Sequence, residues 1–263
     1  MKQAHGWRRD WSNGTDGDDF LKGGRGDDVL DGGRGFDVIH GGKGDDTLYG
    51  GTQNDFVFGE WGDDVLHGDS GPATGRGDLG ADRLSGGRGN DTLWIGEGLD
   101  AVNGGEGSDT FAFKFSNPQT PLAVGTGAAF AAIEDFEAAD DTLAFDVPGL
   151  GVDAAGANFA DGSGGVNGGA TTSFFSGAAS ASNGERVIVL TDQGFASGAL
   201  AVQAAQGEDA GDFVLYFNTT VNTGSLLVVS APDTATSIAR FTDATTLQEF
   251  QAIGFTAADF IFA

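Results

Sequence analysis

The chain has 263 residues, enough for one large domain or two modest ones, and 47 are glycine against only 5 prolines, which excludes collagen and proline-rich linkers. Thirty-nine acids against thirteen Lys and Arg give a net charge of −26, which repels nucleic acid and anionic lipid and attracts cations. Cysteine is absent, so disulfides and thiolate metal sites are excluded, and no apolar run is long enough to suggest a membrane-spanning helix.

Residues 1–13 read as a lead-in. Met1 to Asp10 carries Lys2, Arg8 and Arg9 but no apolar core, so a cleaved secretory signal is not expected. From Gly14 the chain divides into blocks of nine, beginning GTDGDDFLK, GGRGDDVLD and GGRGFDVIH and running to residue 112. Ten of the eleven blocks carry aspartate at the sixth place: Asp19, Asp28, Asp37, Asp46, Asp55, Asp64, Asp82, Asp91, Asp100 and Asp109. The same ten carry a large apolar residue at the eighth, from Leu21 and Leu30 to Val102 and Phe111.

The residue types account for one block. Glycines at places one, two and four permit a tight turn that aims several carbonyls at one spot, and the aspartate closes that turn with a carboxylate. Places seven to nine form a short strand with its middle side chain inward. Two blocks then make a coil of eighteen residues, and the coils stack into a right-handed parallel β-roll. Each coil buries only about two aliphatic side chains while it clusters carboxylates, so the roll is expected to need a counterion to close. A flexible cage of carboxylate and carbonyl oxygens suits Ca²⁺ better than the smaller, octahedral Mg²⁺, and metal binding and folding become one event.

The pattern GGxGxDxUx, as in Gly23 to Asp31, resembles the repeats-in-toxin family, also called hemolysin-type calcium-binding repeats. The resemblance implies calcium between turns of neighbouring coils, bound by turn carbonyls and by the ten sixth-place aspartates. Same-side neighbours are blocks n and n+2, so eleven blocks offer nine slots. The off-pattern block at 68–76, with Ala73 in place of aspartate, touches two of them, which leaves about seven Ca²⁺ ions. Gln53 replaces the fourth-place glycine and should weaken its turn.

Residues 113–263 read as a β-rich region that caps the roll and carries the export address. Ile133 to Phe145 is similar to the segment that follows such rolls, with Asp135, Asp140 and Asp141 as further candidate ligands; the other reading is an acidic loop between two strands. Gly151 to Gly184, rich in Gly, Ala and Ser, reads as long loops. Strands are expected at Arg186–Thr191, Asp212–Asn218, Ser225–Ser230 and Ser237–Phe241, with a turn at Asn222-Thr223-Gly224. Thr246 and Glu249 form a capping box for a short helix that Gly254 ends. The last residues, Ala258 to Ala263, are similar to the uncleaved C-terminal signal of type I secretion substrates, and alternatively are a last strand.

Other motifs carry no chemistry. Gly68 to Pro72 spells a serine-protease nucleophile loop, but no base and orienting acid accompany it. Arg25-Gly26-Asp27 and Arg76-Gly77-Asp78 fall out of the repeat frame as integrin-like tripeptides, and HExxH, Rossmann and P-loop spacings are absent. The expected function is that of a secreted, non-enzymatic calcium-binding protein, a matrix, surface or adhesion component whose partners are calcium ions and the type I secretion machinery. An alternative is a carbohydrate-binding module for extracellular polysaccharide, built on the outward ninth-place rings His40, Tyr49, Phe58, His67 and Trp94. A pore-forming toxin fragment is a third reading, for which no long apolar or amphipathic helical segment is present.

Overall fold

A computed structural model describes residues 2–3, 11–69, 80–96, 98–114, 131–146, 169–170, 174–177, 187–205, 212–231 and 234–262. The chain forms two compact units, Met1–Lys114 and Phe115–Ala263.

In the first unit one coil alternates between two sheets. One sheet holds β1 (Lys2–Gln3), β3 (Phe20–Arg25), β5 (Val38–Lys43), β7 (Phe56–Trp61), β9 (Arg83–Arg88) and β11 (Ala101–Glu106). The other holds β2 (Trp11–Asn13), β4 (Val29–Arg34), β6 (Thr47–Thr52), β8 (Val65–Asp69), β10 (Thr92–Ile95) and β12 (Thr110–Lys114). Neighbours within each sheet are parallel, as the expected β-roll requires. Eighth-place side chains stand in register, Leu21–Ile39–Val57–Leu84–Val102 in the first sheet and Leu30–Leu48–Leu66–Leu93–Phe111 in the second, and all are buried. Most of these strands are longer than three residues. They run on through the glycine pair to the third place of the next block, because the first-place glycine also packs inward and lets the coils approach closely.

The register lengthens past the off-pattern block. Phe56 pairs with Arg83 and Val65 with Thr92, twenty-seven residues on instead of eighteen. Nine residues between Asp69 and Gly80 are therefore surplus to the coil, and the Gly68–Pro72 loop beyond Asp69, Ala73 and the second Arg-Gly-Asp lie outside the described residues. The count of nine slots is corrected accordingly: ten blocks stack, giving eight same-side steps among the described residues.

The second unit is also β-rich. Its larger sheet runs β13 (Ala131–Ile133), β20 (Thr234–Phe241), β19 (Thr223–Ala231), β18 (Phe213–Asn218), β17 (Val187–Phe195), β16 (Phe174–Gly177). β18, β19 and β20 form an antiparallel meander, and the outer pairs are parallel. A smaller sheet joins β15 (Gly169–Ala170), β21 (Phe260–Phe262) and β14 (Thr142–Asp146). The four expected strands are present, β17, β19 and β20 being longer than anticipated, and the turn before β19 places Asn222 at φ 51°. Helix α2 (Leu247–Ile253) has the capping box, with Thr246 Oγ1 accepting the Glu249 N–H at 3.1 Å, and ends at Gly254 with φ 74°. Helix α1 (Gly198–Ala204), capped by Ser197, was not anticipated; its Ala201 and Val202 pack on Ile188, Val214, Tyr216 and Leu227. Most of 151–184 lies outside the described residues, but β15 and β16 fall within it where only loops were expected. The last residues include a strand, β21, paired with β14.

Candidate metal centre

Each turn of the roll closes on its sixth-place aspartate. Nine of the ten are buried, and Asp19 is half-buried at the start of the stack. Their Oδ1 atoms build a ladder, each accepting the backbone N–H of the aspartate one coil earlier. Asp37 accepts from Asp19 at 2.7 Å, Asp46 from Asp28 at 2.7 Å, Asp55 from Asp37 at 2.8 Å and Asp64 from Asp46 at 2.7 Å. Beyond the insertion Asp82 accepts from Asp55 at 2.8 Å, Asp91 from Asp64 at 2.8 Å, Asp100 from Asp82 at 3.0 Å and Asp109 from Asp91 at 2.9 Å. The structure thus brings all ten sequence-predicted residues into two rows, one along each edge of the roll.

The other carboxylate oxygen is the chemically loaded one. Oδ2 of Asp37, Asp46, Asp64 and Asp91 is buried and accepts no hydrogen bond. It points toward the first-place glycine of its own block, where the first-place carbonyl of the next coil also converges. A methyl group built on Gly41 would lie 2.9 Å from the Gly59 oxygen and against the Asp46 carboxylate; on Gly86 it would lie 2.6 Å from the Gly104 oxygen and against Asp91. Only glycine leaves this point open. A buried anionic oxygen with no donor, facing a carbonyl oxygen, is costly unless a cation sits between them.

Burial accordingly raises these acids far above the ordinary carboxylate range: Asp46 and Asp91 to about 7, Asp82 to about 8, and Asp64 and Asp100 to about 6. Neighbouring aspartates of the row add to the shift at Asp46, Asp82 and Asp91, and hydrogen bonds from the backbone oppose it. No three His, Asp or Glu side chains converge as a metal cluster among the described residues. The donors seen at each step, a carboxylate and a carbonyl oxygen, are hard oxygens of the kind that Ca²⁺ takes.

A second ladder escaped the sequence reading. Fifth-place side chains bond in the opposite sense, each accepting the N–H of the coil that follows. Asp27 accepts from Asp45 at 3.1 Å, Asp45 from Asp63 at 3.0 Å and Asp63 from Asn90 at 2.7 Å. The signal was present as Asp or Asn at the fifth place of six stacked blocks. Gln53 does hold its turn in an unfavourable backbone state, φ 77°, and Glu60 shares this at φ 80°.

In the second unit Asp141 Oδ2 accepts the Glu137 N–H at 2.8 Å, which makes it a cap of the acidic turn between β13 and β14. The ninth-place rings divide between the two sheets. On one, His40 stacks on Phe58 at 4.9 Å with Nδ1 at 2.7 Å from Glu60; on the other, His67 stacks on Tyr49 at 4.6 Å and on Trp94 at 5.8 Å. Within each row the ring faces are turned to one another.

Comparison with known proteins agrees with this geometry. The family described as RTX calcium-binding nonapeptide repeat (4 copies) matches residues 6–39, 40–72 and 76–111. The chain carries RTX calcium-binding repeats. Nodulation protein O of Rhizobium leguminosarum bv. viciae is 36% identical over 110 residues, 41% of this chain. That match spans only 37% of the relative's length.

Proposed function

We propose that this RTX protein is an extracellular, non-enzymatic scaffold that stays unfolded in low calcium, leaves the cell by type I secretion and folds its roll on Ca²⁺ outside. The observation that supports it most is the row of buried Asp Oδ2 atoms, without donors, facing carbonyl oxygens of the next coil. Those aspartates and the turn carbonyls would hold the ions; about seven are expected, on eight available steps. Bound calcium would supply the positive charge that the clustered carboxylates lack. Outside the cell the protein would act as a matrix, surface or adhesion component.

Among the described residues no helix is long and apolar enough to cross a membrane. The test is a circular dichroism titration of the full chain with Ca²⁺ and, separately, Mg²⁺. A cooperative gain of β signal with calcium alone is the expected result. A spectrum already folded in chelator refutes coupled folding.

A further inference from the structure

The few cations of this acidic chain are unevenly placed. Third-place Arg25, Lys43, Trp61 and Arg88 stand in register on β3, β5, β7 and β9, forming one exposed row across four strands. Lys43 Nζ lies 4.7 Å from the centroid of the Trp61 ring and Arg88 Cζ lies 4.4 Å from it. On the other edge the same places hold Asp16, Arg34 and Thr52, and Arg34 is 4.0 Å from Asp16. An indole 48% exposed between two cations does little for the core. It does hold two flexible side chains in place, so that less entropy is lost when they meet a ligand. Asp27, Asp45 and Asp63, beside the row, each accept a backbone N–H of the next coil. Arg88 pairs with Glu106 at 3.3 Å, but both are more than half exposed and the pair is readily exchanged.

We propose that this row docks a linear anionic glycan lying across the strands, and that calcium switches the site on; the second part rests on the calcium reading above. Strands are about 4.8 Å apart, so Lys43 and Arg88, two strands apart, are spaced by about 10 Å. A chain of acidic pyranoses carries its charges one or two sugar units apart, in step with that row. An extended peptide repeats on one face about every 6.6 Å and falls out of step. A nucleic acid duplex brings a charge about every 1.7 Å, too dense for a chain of net charge −26. A flat anionic membrane would meet the Asp27–Asp45–Asp63 row together with the cations.

Calcium enters through charge balance. These turns set Asp27, Asp45, Asp63, Glu60 and Glu106 around the three cations, with five sixth-place aspartates beneath. That edge is strongly negative without metal. Four divalent ions on its four ladder steps bring it to about neutral, and the cation row then acts unopposed.

Calorimetry on the full chain tests this, using hexagalacturonate and a sulfated dextran oligosaccharide as probes. Neutral dextran and hexaglutamate serve as comparisons, in calcium and in chelator, with the heat of each probe in calcium buffer subtracted. In calcium an acidic glycan binds, neutral dextran does not, and hexaglutamate binds at least tenfold more weakly; whichever acidic glycan binds tighter names carboxylate or sulfate as the anion. The double variant Lys43→Glu/Arg88→Glu weakens binding about tenfold and Trp61→Ala several-fold. Arg34→Glu leaves it unchanged, and all of these variants still gain the β signal on calcium by circular dichroism. Absence of binding in calcium, an unaffected double variant, or hexaglutamate binding as tightly overturns the glycan site. Equal binding in chelator overturns the calcium switch alone, whereas loss of the circular dichroism response to calcium is what overturns the calcium reading.

Discussion

Asp64 shows how one residue can both destabilise and organise the roll. Its Oδ1 accepts the Asp46 N–H at 2.7 Å, while Oδ2 is buried without a donor and the carboxyl is pushed up to about 6. Asp64→Asn keeps an acceptor for the ladder and removes the buried charge. Its effect should therefore change sign with calcium. In chelator near pH 7.5 the variant is more stable by about 1–3 kcal/mol, because no ionised carboxylate has to be buried. In calcium it is less stable, and the folding midpoint moves several-fold higher, because one cage has lost its anion. Thermal melts in the two buffers measure both; equal shifts of the same sign would refute the role assigned to Oδ2. Gly86 acts from the opposite side. Gly86→Ala puts a methyl at 2.6 Å from the Gly104 oxygen and against the Asp91 carboxylate, so it should raise the calcium midpoint at least as far as Asp91→Asn. A calcium titration of the two variants checks this.

At the scale of elements, the strand pairings treat the insertion after β8 as external. Asp82 accepts the Asp55 N–H across twenty-seven residues at 2.8 Å, the same distance at which Asp55 accepts the Asp37 N–H across eighteen. Deleting residues 71–79 restores a spacing of eighteen and keeps Ser70 as the third-place residue. The shortened chain should fold with an unchanged number of bound calcium ions and a melting temperature equal or slightly higher, since a shorter loop costs less entropy to close. Calcium stoichiometry and a thermal melt decide it; loss of ions would mean that the insertion itself supplies ligands.

The insertion also shows what was legible beforehand. Ten aspartates and ten apolar residues in one frame disclosed the coil, its inward face and the ladder row. A single period of nine hides what repeats every eighteen, so the difference between the edges went unseen. One edge carries Arg25, Lys43 and Arg88 with Asp27, Asp45 and Asp63, and the other carries the apolar fifth-place Phe36 and Leu99, the strained Gln53 and the insertion. In the second unit β17 to β20 are rich in branched and aromatic residues and could be read, whereas β15 (GA), β16 (FFSG) and the seven-residue α1 are too short for a period to show before tertiary packing decides.

For the whole molecule, acid and calcium answer the same electrostatic problem and should act in opposite pH ranges. Asp46, Asp64, Asp82, Asp91 and Asp100 titrate at about 6 to 8 when folded, against an ordinary value of 3.8 in an open chain. Between those limits the folded chain holds more protons than the unfolded one, so stability falls as pH rises. In chelator the roll is therefore most stable below about pH 4, loses stability as pH climbs through about 6 to 8, and changes little above that. Calcium needs the same groups ionised, so its affinity rises through the same window. A chelated sample taken from pH 8 to pH 5 should gain β signal with no metal present, while the calcium midpoint measured at pH 5 should be at least tenfold higher than at pH 8. A chelated chain that gained no β signal until the pH had fallen to about 4 would mean that the buried aspartates are not what keeps the metal-free roll open. The repulsion would then have to come from the exposed acids, which acid also neutralises but with titration complete near pH 4. The position of the transition on the pH axis thus separates the buried row from the surface charge, a distinction that net charge alone, at −26, does not make.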